Sequence, residues 1–410
     1  MTNADTLAPP AGSPTAHRWS PVLAVALATF TVVSSEMMPV GLLTPMSHSL
    51  GVTDGVTGLS LTVTGLIAAV LCPFAPRLVG PRDRRSVLVA FMLLLGVADA
   101  VTALAPNFAV LAAGRVLLGA AMGVVWGLTA SLGPRLADGP RLALAMTLIF
   151  SGVSIASVLG VPLGTYLAAL LDWRAAFWAF ALLGAASAAV LAATLPALPA
   201  PPAPPVQERT RLDAPRGIPR HRGVAAGIAI TAFVVLGHFA GYTYVRPVLE
   251  ADAGLSSGVV AACLLVYGLA GVAGNFTLGP LAGRHPKTAV ALALGGVALA
   301  AALLAYATGV AAVLLVLVVW GASYGGVSVS TQTWVRMADP ARIEASAAIW
   351  AGVFNASIAL GSLAGGLVVD RAGNRAALLT AAGLSALGLL LALLSRPGAG
   401  RPDSPGPDRP

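Results

Sequence analysis

Residues 133–164 read GPRLADGPRLALAMTLIFSGVSIASVLGVPLG, and residues 333–366 read TWVRMADPARIEASAAIWAGVFNASIALGSLAGG. The second stretch echoes the first. Arg135 matches Arg336, Arg141 matches Arg342, Gly160 matches Gly361 and Gly164 matches Gly365, all at one constant interval. A weaker echo joins PFAPRLVGPRDRR (73–85) to GPLAGRHPK (279–287). Each main copy opens on a basic segment and continues as an apolar run rich in small residues. A chain with this repeat is expected to fold as two related halves.

Composition says which solvent surrounds those runs. The chain has 410 residues, of which 57% are hydrophobic and 10% charged. Ordinary soluble domains carry about 25% charged residues. Mean hydropathy is +0.86. So few charges could not cover the surface of a soluble protein, so an integral membrane protein is expected. The net charge of +8 does not point to nucleic acid, because the basic residues are scattered through short loops rather than gathered on one soluble face. Lys287 is the only lysine; with abundant Ala, Gly and Pro, the chain reads as a GC-rich bacterial sequence. Cys72 and Cys263 lie far apart in apolar runs and read as small buried hydrophobes. No zinc spacing or disulfide framework is present, and no metal or cofactor is expected.

A helix needs about 20 apolar residues to cross the hydrocarbon. Such runs lie near 20–43, 57–76, 86–105, 108–133, 142–171, 175–195, 223–248, 257–281, 288–307, 309–335, 345–369 and 375–395. These runs do not alternate, which excludes a β-barrel. The expected fold is an all-α membrane protein with twelve transmembrane helices in two six-helix bundles, 20–195 and 223–395. Residues 1–19 are expected to be a disordered N-terminus, 196–222 a Pro/Arg-rich linker and 396–410 a disordered tail. Basic residues favour the cytoplasmic side of membrane helices. With the N-terminus cytoplasmic, the outer side holds only Arg174, Arg246, Arg371 and Arg375, and Arg115 alone falls inside a span. Both termini and the linker are therefore expected on the cytoplasmic side of a bacterial inner membrane. Parallel repeats of six helices are a transporter architecture, with the binding site near the midplane between the halves.

Three motifs sharpen the reading: SEMMPVGLLTPMSHSLGV in the first span, GRVLLGAAMG in the fourth, and GVPLGTYLAALLDWRAAFW across the fifth and sixth. With them the chain resembles the major facilitator superfamily over nearly all its length, and within it the drug:proton antiporter group of the arabinose-efflux-permease type. The loop between spans two and three departs from the family pattern. Arg84 and Arg85 keep its arginine pair, but its Asp position is Gly80. In the second half Gly279, Arg284 and Lys287 are kept, while the Asp position is Gly283. The resemblance implies that this loop latches the cytoplasmic face, with Asp83 as a candidate substitute for the missing acid. Gly152, Gly160 and Gly164, with Pro162, are expected to allow close helix approach and a bend.

The ionisable groups inside the spans are the candidates for chemistry. Glu36 lies about 12 Å from the outer end of its helix, Asp99 about 10 Å and Arg115 about 12 Å, at 1.5 Å per residue. A charge at membrane depth is costly unless paired or wetted, so such residues default to function. An arginine cannot shed its charge, so Arg115 is expected to pair with whichever carboxylate is ionised. The remaining carboxyl can carry a proton from one side to the other. The competing reading of Glu36 is a polar group reaching toward headgroups. The resemblance makes the third span peripheral, so Asp99 divides evenly between packing and function.

His238 and Tyr242 in the seventh span, Trp126 in the fourth, Tyr324 and Gln332 in the tenth and Asn355 in the eleventh are candidates for lining a substrate cavity. Interhelical packing competes with that role at each of them. Trp334 is another cavity candidate, Asn275 another polar one, and Arg246 is expected to be an interfacial anchor. The resemblance implies a secondary active transporter: protons moving inward would drive a small amphipathic molecule outward by alternating access. The expected partners are the substrate, protons and membrane lipid, with the chain acting as a monomer. A sugar exporter of the same fold and a non-transporting receptor are the alternatives. No nucleotide-binding loop or nucleophile arrangement is visible, so a pump driven by nucleotide hydrolysis and an enzyme are not expected.

Overall fold

The computed structural model describes residues 19–137, 140–199, 222–340 and 343–397. Most of the expected disordered N-terminus, linker and tail lies outside the described residues. The first half contains α1 (Ser20–Leu50), α2 (Asp54–Val79), α3 (Arg84–Ala103), α4 (Phe108–Leu136), α5 (Pro140–Leu170) and α6 (Trp173–Thr194). The second half contains α7 (Arg222–Tyr242), α8 (Ser257–Arg284), α9 (Pro286–Leu304) and α10 (Val310–Ala338), which turns at Gly326. The last continuous stretch, Ile343–Leu394, is broken at Gly373 by φ 82 and ψ 174. Its two arms are α11 and α12. Among the described residues eleven stretches are long and apolar enough to cross a membrane, and splitting the last gives the twelve expected spans. A left-handed residue is cheap only as glycine, which fixes where the last reversal falls.

Helix ends follow local chemistry. Asp172 caps α6 by accepting from the Trp173 N–H at 2.6 Å. Gly51 ends α1 in the left-handed conformation at φ 64. Pro39 and Pro45 lie inside α1, where neighbouring helices can compensate for the lost backbone bonds.

The repeat in sequence becomes a repeat in packing. A side-chain carbon placed on Gly160 would meet Ser34, and one on Gly164 would meet Met38, so α5 lies tight against α1. In the second half the equivalent probes on Gly361 and Gly365 meet Leu236 and Ala240, so α11 lies as tightly against α7. Gly152 continues the first seam against Ala26 and Thr29. Pro162 lies within α5 between Gly160 and Gly164 in sequence. Without a hydrophobic effect between membrane helices, such close approach supplies much of their attraction. A carbon on Gly365 would overlap the Ala240 carbonyl oxygen, whereas one on Gly352, on the same helix, meets nothing. Gly365→Ala is therefore expected to lower the melting temperature in detergent, and Gly352→Ala to leave it unchanged or raise it. Equal effects would show that the seam tolerates widening.

The helix ends form two faces. One carries the ends near Trp19, Leu195 and Ser395 (the terminal face); the other carries the α1–α2, α7–α8 and α11–α12 turns (the far face). A set of hydrogen bonds joins the bundles toward the far face. Asp370 at the end of α11 accepts from Thr53 Oγ1 at 2.8 Å and from the Gly55 N–H at 3.1 Å. Ser362 Oγ donates to the Gly58 carbonyl at 2.9 Å, and Thr62 Oγ1 to that of Ala359 at 3.1 Å. Arg246 reaches the Gly41 carbonyl from just beyond α7.

Arg246 is therefore not an interfacial anchor. It is 4% exposed, pairs with Glu250 at 2.8 Å, and crosses between bundles. The short turn after Tyr244, Val245–Pro247, folds it inward over α1. Asp370→Ala should loosen this seal. Spin labels at His48 and Arg371, with Cys72 and Cys263 replaced by Ala, should show a larger long-distance population. An unchanged distribution would remove Asp370 from the seal.

Candidate functional site

The first bundle buries a three-charge cluster. Asp99 on α3 and Arg115 on α4 are fully buried, and Glu36 on α1 is 5% exposed. Ser35 sits at its centre. Its hydroxyl donates to both carboxylate oxygens of Asp99, at 2.7 and 2.8 Å. Its carbonyl accepts from Arg115 Nη1 at 3.1 Å. Among the described residues, no N–O separation of 4 Å or less joins Arg115 to either carboxylate, so the expected direct ion pair is not formed. The physical reason is Ser35: its short side chain and its carbonyl occupy the places the two charges would need to touch. Arg115 Nε and Nη2 are buried without a hydrogen-bond partner. The guanidinium lies 4.8 Å from the centroid of the Phe177 ring, a cation–π contact that compensates partly for lost water. It still interacts electrostatically with both Asp99 and Glu36. The cluster thus holds one fixed positive charge, two carboxyls and unsatisfied donors.

Glu36 follows Ser35 by one residue, about 100° around the helix, and takes a different aspect. It interacts electrostatically with Tyr324 on α10 of the other bundle. Its place in the second bundle is defined by the seams. The offset that carries Ser34 to Leu236 and Met38 to Ala240 carries Glu36 to His238. The two expected titratable candidates occupy equivalent positions in the two halves.

His238 is buried in a nest of rings. Its centroid lies 3.4 Å from that of Tyr324 and 4.8 Å from that of Tyr242, both nearly parallel to it. Trp320 Nε1 donates to His238 Nδ1 at 3.0 Å, and the Tyr267 hydroxyl lies 3.5 Å from Nε2. Sequence reading did not single out Trp320 or Tyr267. Both stand in apolar runs with no local pattern to separate them from core; only the helix crossing brings them to His238.

The other cavity candidates are dispersed. Trp126 is half-buried and stacks on Phe150 of α5 at 6.4 Å. Gln332 is half-buried. Asn355 donates its amide N–H to Ala351 of its own helix at 2.9 Å, and Asn275 is exposed on α8. Trp334 does not line a cavity: it is fully buried and donates to the Gly223 carbonyl at 3.1 Å, holding α10 to α7.

The loop motifs act inside their own bundles. Arg84 donates to the Gly80 carbonyl at 2.9 Å, and Arg85 donates to that of Ala192 on α6. Lys287 donates to the Leu393 carbonyl at the end of α12. Arg284 is exposed at the end of α8, and Gly279 lies within that helix. Gly80 has φ 58, a left-handed conformation that glycine adopts at the least cost. In this conformation Asp83 makes its hydrogen bonds within its own bundle. It accepts from the Leu198 N–H at 2.6 Å and from the N–H and hydroxyl of Ser86. Desolvation pushes its carboxyl up, but those donors outweigh it and hold it below the usual Asp range. Such a depressed carboxyl favours the folded loop at neutral pH, and the contribution is lost as the pH falls through its folded value.

Comparison with known proteins agrees with this architecture. The model of the Major Facilitator Superfamily matches residues 25–347. A protein of Pseudomonas aeruginosa named transcription regulatory protein OpdE is 32% identical, over 92% of this chain and 94% of its own. The purine ribonucleoside efflux pump NepI of Shigella sonnei is 33% identical, with the same coverage. Among solved structures, a bacterial homologue of the human lysosomal transporter Spinster, inward-facing and occupied, superposes with a TM-score of 0.75 at 13% identity, covering 93% of this chain and 97% of the other. A mutant form of the nucleoside transporter NupG gives 0.72 at 15% identity, covering 92% and 99%.

Proposed function

Because the chain belongs to the major facilitator superfamily, we propose that it is a proton-coupled exporter of small amphipathic molecules, working by alternating access in a bacterial inner membrane. The observation that carries the reading is the buried cluster of Glu36, Asp99 and Arg115. Two carboxyls share the field of one arginine that touches neither, so a proton can be gained or lost without breaking an ion pair. Glu36 is the carrier, because among the described residues no hydrogen bond holds its carboxyl; Asp99 is held by Ser35 and sets the field. The substrate occupies the space between the bundles. The efflux relatives favour a purine ribonucleoside as the molecule carried.

With the termini cytoplasmic, as the arginine distribution favours, the far-face seal is the outer gate and this conformation is inward-facing. Rocking would break the Asp370 and Arg246 contacts and close the terminal face. The relative named a transcription regulatory protein supports a second reading, a membrane receptor that binds ligand without moving protons.

The test is substrate-evoked proton flux in proteoliposomes, with purine ribonucleosides, pentoses and lipophilic cations in turn. Flux with one class identifies both the antiporter and its ligand. Ligand binding without flux from any class supports the receptor instead.

A further inference from the structure

The ring nest is more ordered than packing requires. Tyr324, His238, Tyr242 and Tyr267 form a series of near-parallel rings: His238 with Tyr324 at 9°, His238 with Tyr242 at 20°, and Tyr242 with Tyr267 at 26°. Trp320 stands almost perpendicular to His238 and Tyr267, at 87° and 88°. Four of the five rings are buried, and Tyr324 alone is half-buried. The series therefore has one open end.

Hydrogen bonding fixes its chemistry. An indole N–H can only donate, so His238 Nδ1 must accept and carries no proton. The imidazole is then neutral, with its hydrogen on Nε2, directed at the Tyr267 oxygen. A second proton on Nδ1 would face the indole N–H. The open end is thus backed by a neutral ring held in one tautomer and one orientation. The π-face of the half-buried Tyr324 suits a flat, electron-poor ring better than an alkyl group.

We propose that Tyr324 is the docking face for a planar heteroaromatic ring, and that the His238–Trp320 pair positions that face. The two halves of the repeat have then divided the work: the first bundle's position carries the proton, and its equivalent in the second supports ring recognition. This rests on the exporter reading for its place in a transport cycle, but not for binding.

The test is equilibrium binding of radiolabelled adenosine to purified protein in detergent, beside ribose and tetraethylammonium, with proton flux measured separately. Adenosine is expected to bind, and ribose and tetraethylammonium not to compete. Tyr324→Leu should weaken adenosine at least about fivefold, the lower range for loss of a base–aromatic stack. Tyr324→Phe, which keeps the ring, should restore most of the affinity, separating recognition from a folding defect. Trp320→Phe removes the donor to His238 and should weaken adenosine while keeping its preference over ribose. Wild-type protein that ignores adenosine, or Tyr324→Leu that binds it normally, overturns the proposal even if protons are exchanged for some other substrate. Adenosine binding lost in Tyr324→Leu without any proton flux upholds the proposal and overturns the exporter reading.

Discussion

Glu36→Gln is expected to abolish accumulation of substrate driven by a pH gradient while leaving substrate-for-substrate exchange measurable. Glutamine keeps the shape and can still hydrogen-bond, but it cannot take up and release a proton. The bundles could still rock with substrate bound, so counterflow should persist at reduced rate. Gradient-driven uptake should fall to the level of empty vesicles. The side chain is nearly buried, so removing its charge should not destabilise the fold; neutral groups are cheaper than charges at that depth. Retained gradient-driven uptake in Glu36→Gln would remove this residue from the coupling mechanism.

Arg115→Ala is expected to have the largest effect on stability. Removing one member of a buried charge set leaves the others uncompensated and costs about 3–5 kcal/mol. Here Asp99 would lose the positive field while keeping only the Ser35 hydroxyl. A sharp drop in melting temperature in detergent and loss of transport should follow. Because misfolding alone would stop transport, the deciding variant is Arg115→Ala with Asp99→Asn. Removing the orphaned charge should recover much of the stability, but not the coupling. A double variant no more stable than the single one would show that Arg115 acts by packing against Phe177, not by charge. Arg246 is also buried, but its partners are Glu250 and the Gly41 carbonyl at the far-face seal. Its loss should shift the balance between conformations, with a smaller effect on proton coupling.

Much of this was legible in the chain. Apolar runs of span length gave the helices, and the recurrence of Gly160 and Gly164 at Gly361 and Gly365 marked the seams, because close helix approach demands small residues at fixed spacing. Glu36, Asp99 and Arg115 stood out because charge inside an apolar run is rare. Less visible were features made by crossing helices. Ser35 looks like any small residue of α1, yet it stands between the charges. Trp320 and Tyr267 look like core. Arg246 looked like an anchor because its position after the seventh span suggested a headgroup contact, whereas the turn at Tyr244 folds it inward. Trp334 reads as cavity-lining for a related reason: which side of α10 faces α7 is set by packing, and composition does not show it.

The most direct test of the central claim is accumulation of radiolabelled purine ribonucleoside in inside-out membrane vesicles with an imposed acidic lumen and the membrane potential clamped at zero. Proton-coupled export predicts uptake above the external concentration that collapses when a protonophore is added. Equal uptake with and without the gradient, in wild-type protein that demonstrably carries the ribonucleoside, would contradict proton coupling.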